Sequence, residues 1–228
     1  MAEKIQPRRS PKQERGQQRV ERILDAAAQE FARVGYESAT TNGIARRART
    51  SVGSLYQFFP NKEAVLYALT DRYLARLHAL HDRVLGDQAN RLPLPVFYDR
   101  LVEGIAEFHC SEPGFPGLFY GSTTSPHLAA AARLLHQECI ARAEMALRAR
   151  LPSLPDEEVR LYAALNVEVI KALMPLAATG DESFRARMLA EIKKLLLTYM
   201  ARIEKEGQES GIRGQESGVR SQESGIRR

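Results

Sequence analysis

Residues 40–66, TTNGIARRARTSVGSLYQFFPNKEAVL, constrain the fold more than any other stretch of the chain. Thr41 is an N-cap candidate, and Ile44, Ala45 and Ala48 share one face of a short helix. Ser51 is the next start signal. Its hydroxyl can accept from the free N–H groups of a helix expected over Val52–Phe59. Pro60 stops that helix because it lacks an N–H and drives Phe59 out of the α region. Asn61 then caps a further helix with Lys62 in its first turn. Two helices of about two turns joined by about three residues form a helix-turn-helix, an arrangement that lays its second helix in a DNA major groove.

The residues on that second helix suit the task. A helix approaching base edges needs small or polar groups on its exposed N-terminal face, and Ser51, Val52, Gly53, Ser54 and Gln57 provide them. Gln57 can pair bidentately with adenine, and Val52 or Ser54 can meet a thymine methyl. Tyr56 and Lys62 are placed for phosphate, as are Thr40 and Thr41 at a helix start. Leu55 and Phe59 are expected in the core. Arg46, Arg47 and Arg49 are candidates for further phosphate contacts or for a solvated face.

The stretch resembles the tetracycline-repressor (TetR) family of bacterial transcriptional regulators. The likeness lies in Thr40-Thr41-x-x-Ile44-Ala45, in Ser51 through Glu63, and in the preceding helix ending Phe31-Ala-x-x-Gly35-Tyr36, roughly residues 18–66. Thr41, Ser51, Val52, Ser54, Tyr56, Gln57 and Lys62 fall on the family's usual contact positions. Two departures stand out. The family usually has Gly-Val in the turn where this chain has Arg49-Thr50, and Tyr or His where it has Phe58. Arginine accepts a positive φ only with strain.

Charge agrees with a DNA-facing head. Of a net +5, residues 1–62 hold 12 Lys/Arg against 6 Asp/Glu, leaving the remainder at −1. A basic end on a near-neutral body is the electrostatic footprint of a polyanion-binding head. Residues 1–16 lack periodicity and read as a disordered basic arm, with Arg8, Arg9, Lys12 and Arg15 able to lie along phosphates.

The rest reads as helix throughout. Over 17–34, Val20, Ile23, Leu24, Ala27, Ala28, Phe31 and Val34 form a 3.6-residue stripe, and Gly35 is placed to end it. Leu66, Leu69, Tyr73, Leu77, Leu80 and Val84 continue the pattern over a rod able to carry movement between domains. Helices follow over 94–109, with a stripe at Phe97, Leu101, Ile105 and Phe108, then 126–151, 156–179 and 182–206. A Gly/Pro-rich turn at 113–121 precedes the second of these. Gly180 makes the last two antiparallel neighbours. The fold class is therefore all-α: a three-helix helix-turn-helix domain over 17–62 and an antiparallel helical bundle over 63–206.

The resemblance implies a homodimer, built by pairing the last two helices with their copies, and a palindromic operator. Met188, Ile192, Leu195, Leu196, Tyr199 and Ile203 are the interface candidates. It also implies a small-molecule effector whose binding releases the DNA, by linkage. Candidates for that lining are Leu101, Phe108, His109, Phe115, Phe119, Tyr120, Leu135, His136, Cys139, Asn166 and Met174, a mostly apolar set suited to an apolar or aromatic effector.

Residues 207–228 repeat as GQESGIR, GQESGVR and SQESGIR. Their glycines cost a helix about 1 kcal/mol each, and one apolar residue per heptad makes no seam, so a disordered tail is expected. No nucleotide loop, nucleophile elbow, metal cluster or cofactor fingerprint is present, which argues against an enzyme, a metal site and a cofactor. Cys110 and Cys139 lack C-x-x-C spacing, no stretch has the length of a membrane span, and no apolar leader is visible; a soluble cytoplasmic protein is expected. The rival reading is a helical sensor or interaction module whose head does not bind DNA.

Overall fold

The computed structural model describes residues 11–85, 91–120 and 125–225. Among these every regular element is helical: α1 (Pro11–Ser38), α2 (Thr41–Arg47), α3 (Val52–Tyr56), α4 (Lys62–Leu85), α5 (Leu94–Ser111), α6 (Phe115–Phe119), α7 (Pro126–Arg150), α8 (Asp156–Ala177) and α9 (Glu182–Gly225). The all-α expectation holds.

Both ends of the helical region extend further than the sequence suggested. The arm expected to be disordered over 1–16 becomes helix at Pro11. Proline costs nothing at a first helical position, and Glu14 in the first turn complements the helix dipole. Residues 1–10 lie outside the described residues. The tail expected to be disordered from 207 is likewise corrected, since α9 runs on to Gly225. A helix already nucleated upstream propagates cheaply, and no proline interrupts the repeats. Residues 226–228 lie outside the described residues.

The chain divides into two compact units, Met1–Ala75 with Ser111–Leu135, and Arg76–Cys110 with His136–Arg228. The division does not coincide with the expected boundary at 62/63. In the first unit the α1 stripe buries Ile23, Ala27 and Phe31 with Ile44, Leu55, Phe59, Leu66, Leu69 and Tyr73. Each large side chain removed from water contributes about 2 kcal/mol. Gly35 adopts φ 76° and interrupts α1, after which one more turn reaches Ser38. The segment entering α6 joins this core closely. A Cβ on Gly114 would lie 2.6 Å from the Tyr73 hydroxyl and 2.8 Å from the Ala28 carbonyl oxygen.

In the second unit α5, α8 and α9 share a core that includes Phe97, Tyr98, Val102, Ala163, Met174, Ile192, Leu196 and Met200. The α5 stripe is rotated from the expected one: Val102 and Ala106 are buried, whereas Leu101 and Ile105 are half-buried. The helices α8 and α9 are antiparallel, with Tyr162 against Tyr199 and Asn166 against Met200. Their packing corrects part of the expected interface. Ile192, Leu196 and Ile203 are at most 3% exposed within this single chain. They face α8 and the core and are not available to a partner. Leu195 is exposed, while Met188 and Tyr199 are half-buried.

Candidate nucleic-acid interface

The helix-turn-helix is held by three side-chain caps. Thr40, not Thr41, is the N-cap of α2: its backbone is extended and its hydroxyl accepts from the Gly43 N–H at 3.0 Å. Two adjacent threonines offer the same chemistry, and the chain bends at the first of them, which leaves Thr41 helical. Ser51 caps α3 as expected, accepting from the Ser54 N–H at 3.1 Å. Asn61 caps α4 by accepting from the Ala64 N–H at 2.8 Å. The helix α3 ends at Tyr56, short of the expected Phe59, in a turn where Phe59 still donates to the Leu55 carbonyl.

The turn between α2 and α3 is a Schellman arrangement. Thr50 N–H donates to the Ala45 carbonyl and Arg49 N–H to the Arg46 carbonyl, with Arg49 at φ 52°. This is the left-handed position that glycine normally fills. A side chain there costs about 1 kcal/mol or more.

Leu55 and Phe59 face the core, and this orients the remainder of the segment outward. Thr40, Ser51, Gly53, Tyr56 and Gln57 are exposed; Thr41, Val52, Ser54 and Lys62 are half-buried. Two of these are tied to each other, since the Tyr56 and Thr41 hydroxyls lie 3.2 Å apart. Lys62 has another commitment. Its ammonium donates to the Tyr36 carbonyl at 2.8 Å and the Glu37 carbonyl at 3.1 Å, and lies 4.4 Å from the centre of the Tyr36 ring. It therefore caps the last turn of α1. One of its three donors is left for phosphate.

A buried acid that the sequence reading passed over fixes the other side. Glu30 is 4% exposed and sits between Arg33, at 2.7 Å, and Arg47, at 3.0 Å. Gly43 leaves room for it, because a Cβ there would come 2.9 Å from its carboxylate. The hydrogen bond from Arg33 holds the Glu30 carboxyl below the usual carboxylate range, burial opposes this, and Arg47 reinforces it. The available signal was a charge on the apolar side of α1 with Arg33 one turn later. The triad joins α1 to α2.

Comparison with known proteins agrees with this geometry. The sequence model described as "Bacterial regulatory proteins, tetR family" matches residues 23–69, and "Tetracyclin repressor-like, C-terminal domain" matches residues 93–200. The chain belongs to the TetR family. That family is described as one of bacterial regulatory proteins. A TetR-family regulator from Streptomyces coelicolor, of solved structure, is 27% identical, with a TM-score of 0.57 over 81% of this chain and 98% of the other. A transcriptional repressor of Mycobacterium tuberculosis is 27% identical over 174 residues, covering 75% of this chain and 88% of that protein. The structure described as the SmeT–triclosan complex is 22% identical, with a TM-score of 0.63 over 80% of this chain and 89% of the other, a likeness of fold. The first curated relatives match over about a third of their own length, 30% for one regulator of Bacillus subtilis and 32% for a repressor of Mycolicibacterium smegmatis.

The effector candidates suggested by the TetR resemblance fall into both units. Phe115, Phe119, Tyr120 and Leu135 belong to the first, where Phe115 stacks on Phe119 at 5.1 Å and meets Tyr73 edge-on at 5.5 Å. Leu101, Phe108, His109, His136, Cys139, Asn166 and Met174 belong to the second. Burial pushes the His109 imidazole down to about 4 and the Cys139 thiol up to about 12. His136 lies 2.6 Å from Glu168. Asn166 is spent internally: it accepts from the Tyr98 hydroxyl at 2.7 Å and donates to the Tyr162 carbonyl at 2.7 Å. Among the described residues no helix is long and apolar enough to cross a membrane.

Proposed function

We propose that this chain is a cytoplasmic repressor that binds a palindromic operator as a homodimer and is released by an apolar or aromatic small molecule. The observation that carries the reading is the capped helix α3. Leu55 anchors it, while Ser51, Gly53, Tyr56 and Gln57 project from the surface, and residues 1–62 carry 12 Lys/Arg against 6 Asp/Glu. Ser51, Val52, Gly53, Ser54 and Gln57 read bases; Thr40, Thr41, Tyr56 and the remaining donor of Lys62 hold phosphates.

Pairing of two chains is supported by apolar groups left uncovered on the last two helices. Leu161, Leu165 and Leu176 of α8 and Phe184 and Leu195 of α9 are 39–50% exposed. With Met188 and Tyr199 they replace Ile192, Leu196 and Ile203 as the partner-facing set. A dimer presents two recognition helices about 34 Å apart and so reads an inverted repeat. Release by an apolar ligand is supported by the triclosan complex of the structural neighbour and by the apolar lining candidates.

The test is selection of duplexes from a randomised pool by the full-length protein, with its mass measured in solution. Enrichment of an inverted repeat by a dimer is the expected result. A monomer that enriches no sequence would sink the reading and favour an interaction module instead.

A further inference from the structure

Three arginines crowd the end of α2, and their side chains have different commitments. Arg47 is held by Glu30. Arg46 and Arg49 are exposed, and among the described residues neither guanidinium has an ion pair or hydrogen bond. Arg49 is also the one non-glycine residue with positive φ among those described. Glycine takes that conformation without the Cβ clash that arginine suffers. The two Schellman hydrogen bonds hold the backbone in that conformation, but they serve glycine equally, and neither burial nor a side-chain contact among the described residues favours arginine there. A strained residue without structural compensation points to function.

Its position says which function. The Thr41–Tyr56 contact sets the start of α2 against the end of α3. The opposite ends, Arg46–Arg47 and Val52, therefore meet at the turn that Arg49 occupies. Arg49 stands two residues before the N-cap Ser51. That is the end of a recognition helix that enters the groove, bordered on either side by backbone phosphates. Arg49 precedes the base-facing helix and lies on its rim, where a phosphate is the group to be met.

We infer that Arg49 grips a DNA backbone phosphate beside the start of α3, an assignment that rests on the DNA-binding reading above. The strain at the turn is the cost of placing a cation where the fold would accept glycine. Stability and affinity must then move in opposite directions when the side chain is removed.

The experiment compares full-length wild type, R49G and R49K. Melting temperature is measured, together with anisotropy of a labelled mixed-sequence duplex of about 30 bp across a salt series. R49G is expected to melt higher than wild type yet bind more weakly, with the slope of log K against log salt shallower by about 1 per protomer. R49K should keep the wild-type slope, because a point charge serves a phosphate. An R49G protein with an unchanged slope overturns the assignment, as does an R49K protein that loses the slope as fully as R49G. Wild type that ignores the duplex at low salt is a separate result, and it sinks the DNA-binding reading itself.

Discussion

The Tyr56 hydroxyl lies 3.2 Å from the Thr41 hydroxyl, tying the last residue of α3 to the first of α2. Two groups that each suit a phosphate are thus oriented as one unit. Y56F and T41V should each weaken binding to the selected operator roughly fivefold, about 1 kcal/mol. The double variant should lose little more than either alone. Anisotropy titrations around this cycle give the coupling directly, and additive losses would mean that the two residues contact DNA independently.

Lys62, proposed above as a phosphate contact, also has a role in the free protein. Its ammonium closes two carbonyls at the end of α1 and covers the Tyr36 ring. K62A should therefore lower stability by about 1–2 kcal/mol in the absence of DNA. Urea unfolding of the free protein measures it. Stability equal to wild type would show that the cap contributes nothing.

Glu30 links α1 to α2 through Arg33 and Arg47, and its carboxyl is held below the ordinary range. A carboxyl depressed in the folded state adds stability that is full above the unfolded pKa. That stability is lost as pH falls through the folded value. E30Q should cost about 2 kcal/mol at neutral pH. It should also show a flatter decline of stability in acid than wild type. Parallel acid profiles for the two proteins would remove the triad from the account.

The order of helices α1 to α4 was legible because the signals were local. Ser51 and Asn61 act on their own backbone within three residues, and each caps the helix its chemistry requires; Pro60 does not set the end of α3, which already stops at Tyr56. Thr40 and Thr41 were not separable by the same logic, because side-chain chemistry is identical and only the backbone bend distinguishes them. The apolar face of α9 was legible as a face but not as to what covers it. Periodicity marks Ile192 and Leu195 alike, and only packing shows that α8 and the core claim the first and leave the second exposed. Glu30 escaped notice because a charge on an apolar stripe reads as noise until Arg47, seventeen residues later, is brought beside it. The extension of α9 through the glycine repeats depends on an upstream nucleus, which residue-by-residue propensity does not capture.

Gly114 is required by close approach, not by a special backbone angle. An added Cβ would meet the Ala28 carbonyl oxygen at 2.8 Å and the Ala28 Cα at 2.9 Å, both backbone atoms within α1. Neither can yield without moving the helix. G114A should destabilise the protein by about 2 kcal/mol, a typical overpacking cost. A thermal melt checks it, and an unchanged midpoint would show that the segment before α6 is free to shift away from α1.

Asn166 distinguishes a ligand contact from a core tie. Its amide receives the Tyr98 hydroxyl at 2.7 Å, donates to the Tyr162 carbonyl, and lies 3.4 Å from the Met200 sulfur, all inside the second unit. Burial raises the Tyr98 phenol above its ordinary pKa, so it remains a donor across the neutral range. Removing that donor leaves a buried amide oxygen without its partner. Y98F should therefore cost about 1–2 kcal/mol, and N166A at least as much, since it also abandons the hydroxyl and opens a cavity. A group that serves an effector behaves otherwise: its removal leaves the free protein's unfolding midpoint in place and changes only the response of operator binding to ligand. Urea midpoints of the two variants in ligand-free buffer decide between the roles, and wild-type stability in N166A would return Asn166 to the effector site.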